Sequence, residues 1–135
     1  VPTHMAYNIT LLDADFNYKT VELSALAKPK VTNIPLATNH QGLTELTNYS
    51  IFSKSLERKK QLLQKLQDPL VNIEAFINAF EYEPLFNANY ANNFGTLYTG
   101  VYNPALRAME YRWPHYLRMY QSFEYFEEQE WLITY

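Results

Sequence analysis

Met5-Ala6-Tyr7-Asn8-Ile9-Thr10-Leu11-Leu12 alternates two sets of side chains, with Tyr7, Ile9 and Leu11 on one face and Ala6, Asn8 and Thr10 on the other. An extended backbone points successive side chains to opposite sides, so this period of two predicts a strand. Asp13-Ala14-Asp15-Phe16-Asn17 then supplies the Asp and Asn that turns favour, and residues 18–23 resume the alternation. The two strands are expected to pair as a hairpin.

Working outward, a third extended stretch is expected over residues 31–38, after Pro29, leading into the turn-formers Asn39-His40-Gln41-Gly42. A strand end rich in polar groups is a natural place for a site. From Ser53 to Gln67 the period changes: Leu56, Leu62, Leu63 and Leu66 share a helical face, strong helix formers fill the rest, and Asp68-Pro69 ends the run. Asn72 is placed to cap a shorter helix through Ile73, Phe76, Ile77 and Phe80. Residues 83–94, with a Pro and four Asn, read as a loop. Alternation returns in residues 96–102 and 107–113 around Asn103-Pro104-Ala105-Leu106, a second hairpin; the aromatic and acidic tail after Pro114 has no clear pattern. Strands, then helices, then strands indicate an α+β arrangement with mostly antiparallel pairing, and no repeat or linker divides residues 1–135.

A chain of 135 residues fits one domain with a real core. Its aromatic fraction of 16%, with 12 Tyr and 8 Phe, is more than such a core ordinarily uses, which suggests packing against a further segment. A net charge of -3 and scattered basic residues, apart from Lys54 and Arg58-Lys59-Lys60, speak against nucleic acid or an anionic membrane as partner. No apolar run approaches a membrane span and no signal-peptide pattern opens the chain, so a cytoplasmic location is the default expectation. Cysteine is absent, which excludes disulfides, thiolate metal sites and a cysteine nucleophile within these residues.

Few residue patterns carry chemistry. His4, His40 and His115 are far apart with no i, i+4 pair, giving metal binding little local support. The 3 Gly are scattered, so no phosphate loop exists and no cofactor is expected; no Gly-x-Ser-x-Gly elbow presents a serine. Glu124, Glu127, Glu128 and Glu130 read as a solvated face rather than as paired acids. Ala37-Thr38-Asn39-His40 stands out, because a side-chain amide at a strand end can donate to an oxyanion without carrying charge. Asn39 can equally begin an Asx turn.

Four stretches in order resemble the C-terminal half of the choloylglycine hydrolase and isopenicillin N acyltransferase group, nearer the acyltransferase branch. They are residues 6–13, Ala37-Thr38-Asn39-His40, the helix start Ser55-Leu56-Glu57-Arg58, and the late hairpin from Thr96 through Tyr111-Arg112-Trp113-Pro114 with Gln121-Ser122-Phe123. The resemblance implies the C-terminal portion of an αββα sandwich, the N-terminal-nucleophile hydrolase fold. It implies an enzyme whose processed N-terminal cysteine attacks an amide carbonyl while its own α-amino group moves the proton. The acyl-enzyme then passes to water or to another amine. Asn39 matches the family's oxyanion-hole amide. Arg58 is similar to the family's arginine near the nucleophile, whose charge would favour the thiolate; beside Leu62 on the wheel, it can also be a surface arginine with its stem packed on the core.

The departure from the family pattern is the nucleophile: residue 1 is Val and no Cys follows. The expected partner is therefore the upstream half of the same protein carrying the catalytic cysteine, with a small amide as substrate. The isolated chain is expected to be inactive. The rival reading is a self-contained, aromatic-rich module that binds a protein or an apolar ligand. Assembly into a homo-oligomer is left open, as are the substrate and the choice between hydrolysis and transfer.

Overall fold

The computed structural model describes residues 6–24, 27–41, 53–113 and 117–135. The proposed strand start at Met5, the turn residue Gly42, Pro114, His4 and His115 lie outside them. The architecture is α+β, two antiparallel three-stranded sheets with helices between them in sequence. The chain divides into two compact units, Val1–Pro69 and Leu70–Tyr135, taken here in turn.

In the first unit β1 (Tyr7–Leu12) and β2 (Tyr18–Leu23) form the expected hairpin, pairing Tyr7 with Leu23 and Leu12 with Tyr18. Asp13 makes the turn. Its Oδ1 accepts the backbone N–H groups of Asp15 and Asn17, and its Oδ2 accepts from the Asn17 side chain at 3.0 Å. That side-chain bond, with the backbone N–H of Asn17, holds the carboxyl below its ordinary 3.8. A depressed carboxylate stabilises the fold above its unfolded pKa and loses that contribution as pH falls through the folded value. The Asn17 amide resonance should therefore shift toward unstructured values as acidification protonates this depressed carboxyl, and Asp13→Ala should produce that shift at neutral pH.

The third strand is shorter than expected: β3 covers only Lys30–Thr32, paired antiparallel with β2. Pro35 explains this, since it has no N–H for a ladder, and the chain turns away there. Buried Thr20 donates its hydroxyl to the Ile34 carbonyl at 2.7 Å, so residues 34–40 fold over the sheet instead of extending it. Helix α1, Ser55–Gln67, ends at Asp68 as the sequence indicates. Its expected apolar face is only partly used. Leu62 is buried and Leu63 half-buried, while Leu56 and Leu66 are 40% and 46% exposed. The buried side runs instead through Ser55 and Leu62, one heptad apart, because Ser55 is drawn into a polar contact described below.

In the second unit Asn72 caps α2 (Ile73–Asn78), accepting the Ala75 N–H at 2.8 Å, and a 3-10 turn, Ala79–Glu81, continues it. Residues 83–94 are a loop containing one further 3-10 turn, Tyr90–Asn92. The second hairpin joins β4 (Thr99–Asn103) to β5 (Ala108–Arg112), with the Asn103 side chain accepting from Leu106 in the turn. A sixth strand, Arg118–Ser122, pairs with β5 and was not legible in the aromatic tail.

The two sheets share one feature. Residues paired directly across a ladder point to the same face. In the first sheet one face carries Tyr7, Leu23, Ile9, Val21 and Val31, and the other Asn8, Glu22, Thr10, Thr20 and Thr32. The chain's own residues 34–40 cover the polar face, and the apolar one is open: Ile9 is 40% and Val31 60% exposed. In the second sheet one face carries Tyr102, Met109, Tyr111 and Met119, continued by Tyr98 and Trp113 with ring centroids 5.5–6.2 Å apart. The opposite face carries Glu110, Arg112 and Arg118. It is this charged face that α2 and its 3-10 turn engage.

Arg112 holds that engagement. Buried, it donates to Asn78 at 2.9 Å and to Glu110 at 3.0 Å, with Glu81 at 3.7 Å and Glu74 at 3.8 Å. Arg118 adds contacts to Glu81 and Glu110. Among the described residues the buried hydrophobic side chains are only Leu62, Leu85 and Ala108. The apolar face of the first sheet is exposed at Tyr7, Ile9, Leu11 and Val31; on that of the second, Tyr98 and Tyr102 are exposed while Met109, Tyr111, Trp113 and Met119 are half-buried.

Candidate functional site

The site is built in the first unit, where residues 37–41 pass between the start of β1 and the first turn of α1. Asn8 is the first element. It is on the polar face of β1, and its side-chain amide donates to the carbonyls of Thr38 at 2.5 Å and His40 at 3.0 Å. Gln41 is the second, donating from Nε2 to the carbonyls of Tyr7 at 3.0 Å and Leu23 at 2.8 Å, a cross-strand pair. The backbone on both sides of Asn39 is thereby tied to the sheet.

His40 ties the same segment to the helix. Its ring is buried, and Nδ1 lies 2.8 Å from the Ser55 hydroxyl and 3.1 Å from that of Thr38. Ser55, fully buried, is the first residue of α1, so this contact sets where the helix begins relative to the loop. Lys54 precedes it with a φ of 46°, a left-handed conformation that turns the chain sharply into the helix.

One turn along, Arg58 reaches back and its guanidinium donates to Oδ1 of Asn39. The two residues picked out in the sequence are thus in direct contact, Asn39 exposed and Arg58 half-buried. The contact has a chemical consequence. A guanidinium only donates, so it selects the oxygen end of the Asn39 amide and directs the NH2 group away from itself. Polarised by a cation on its oxygen, the amide N–H becomes a better donor. The Arg58 guanidinium thus meets Asn39 whatever its stem packs against.

The sequence reading missed Asn8, Gln41 and Ser55 as parts of this site. Asn8 left one signal, since Asn is disfavoured within strands unless its amide has work there; Gln41 and Ser55 left none. His40 holds a buried structural contact, and among the described residues no three His, Asp or Glu side chains converge as a metal cluster. Glu124, Glu127, Glu128 and Glu130 are exposed. Among the described residues no helix is long and apolar enough to cross a membrane.

The family model for acyl-coenzyme A:6-aminopenicillanic acid acyl-transferase matches residues 1–116, which include the whole of this constellation. The chain belongs to that family. No curated protein and no solved structure matches it.

Proposed function

We propose that the chain is the transition-state-supporting part of a cysteine N-terminal-nucleophile enzyme of the choloylglycine hydrolase type, acting on linear or acylated amides. The observation that carries this reading is the Arg58 to Asn39 hydrogen bond, which engages the amide oxygen and so turns the Asn39 NH2, as a donor, away from the guanidinium. In the reaction a cysteine thiolate, supplied by another segment, attacks the amide carbonyl carbon. The carbonyl π electrons move to oxygen, and Asn39 donates to the resulting oxyanion. Collapse expels the amine, which takes its proton from the α-amino group of the cysteine. Water or an acceptor amine then releases the acyl group from the thioester.

The finer fold assignment, an αββα sandwich completed by the cysteine-bearing segment, is supported by the exposed apolar side chains on both sheets. Each large apolar side chain moved from water into such an interface stabilises by about 1.5–3 kcal/mol. The exposed Tyr7, Ile9, Leu11, Val31, Tyr98 and Tyr102 give an incoming layer ample surface.

The test is reconstitution. The chain alone should release nothing from a simple N-acyl amide, since it holds no cysteine. Co-expressed with the segment encoded upstream of Val1, it should release product and accumulate a thioester-linked acyl group detectable by intact mass. A co-purifying pair that never acylates would defeat the enzymatic reading and favour the aromatic binding module.

A further inference from the structure

Asn8 is on β1, and its side chain bonds the backbone on either side of Asn39 rather than the Asn39 or Arg58 side chain. One NH2 group serves two carbonyls that flank Asn39, at residues 38 and 40. The side chain cannot be turned over, because its oxygen would then face two carbonyl oxygens. Its Oδ1 is buried with no hydrogen-bond partner among the described residues. A buried unpaired acceptor costs free energy, so a residue kept there despite that cost is being held for what its NH2 does.

Two carbonyls held by one amide fix the Thr38–Asn39 and His40–Gln41 peptides, which bracket Asn39 and its following peptide. Anchored on both sides, Asn39 has little freedom to turn its Cα–Cβ bond, and Arg58 then fixes the amide at its end. We propose that Asn8 is a positioning residue that aims Asn39. The catalytic consequence rests on the reading of Asn39 as oxyanion donor; the clamp itself does not.

Asn8→Asp is the sharpest probe, being nearly isosteric but presenting oxygen to both carbonyls. In uniformly 15N,13C-labelled wild-type chain, through-hydrogen-bond couplings should connect Asn8 Nδ2 to the carbonyl carbons of Thr38 and His40. Absent couplings overturn the proposal, and this measurement needs no variant to fold. In Asn8→Asp and Asn8→Ala the two Asn39 side-chain amide protons should move toward free-amide shifts while the backbone amides of Thr20 and Val21 stay in place. Asn39 signals unmoved in a folded variant also overturn it. In the reconstituted enzyme Asn8→Asp should lower kcat about tenfold to a hundredfold with KM unchanged, the cost of a misaimed catalytic group. Couplings present beside an inactive wild-type assembly would uphold the clamp and remove only the catalytic reading.

Discussion

Replacing Arg112 by Met is expected to destabilise the Leu70–Tyr135 unit by roughly 3 kcal/mol, near the low end for breaking a buried ion pair from one side. Met keeps most of the stem volume, so the loss isolates the guanidinium. Without it Asn78 loses its donor, and Glu110 and Glu81 compete for Arg118 alone. Glu74 is 59% exposed and recovers water, which is why the larger values in the range are not expected. Arg112→Lys should recover only part of the loss, because one ammonium cannot span Asn78 and Glu110 as a planar fork does. Both tryptophans, Trp113 and Trp131, lie in this unit, so urea unfolding followed by tryptophan fluorescence reports on it directly. A midpoint shift equivalent to less than about 0.5 kcal/mol, the ordinary range for a surface change, would refute the assignment of Arg112 as the tie between α2 and the sheet.

The second large effect is on rate. Asn39→Ala in the reconstituted enzyme should lower kcat by about two to three powers of ten, the loss typical of one oxyanion donor. KM should change little, because the donated hydrogen bond strengthens only as the oxygen becomes charged. Asn39→Asp separates this from a structural role. The carboxylate keeps and strengthens the contact to Arg58, so the loop stays tied to α1, yet it has no N–H to offer and repels an oxyanion. The loss should therefore be at least as large as for Ala in a protein as stable as the wild type.

What the sequence disclosed and what it concealed follow from the range of the interactions involved. The β1–β2 hairpin, the Asn72 cap and the end of α1 at Asp68 depend on neighbours within a few residues, and the alternation, the capping residue and the Asp-Pro pair declare them. Asn39 is visible as a side-chain amide at an expected strand end, whereas Arg58 is visible only through the resemblance to a family. Their contact spans 19 residues, and no local pattern encodes it. The double carbonyl clamp by Asn8 reaches 30 and 32 residues, further still.

The extended reading of residues 31–38 ignored Pro35, which cannot donate to a ladder and ends β3 at Thr32. The four leucines of α1 share a helical face by spacing, but Leu56 and Leu66 are exposed because the polar contact of Ser55 with His40 decides how the helix is turned. Leu56 and Leu66, like Ile9 and Val31 of the first sheet, are exposed.

The most direct test of the central claim is the single-turnover rate of thioester formation in the reconstituted enzyme, compared between wild type and Asn39→Asp. The account predicts a fall of at least about a hundredfold with the folded state and the Arg58 contact intact. A rate within twofold of wild type would show that Asn39 does not meet the developing oxyanion.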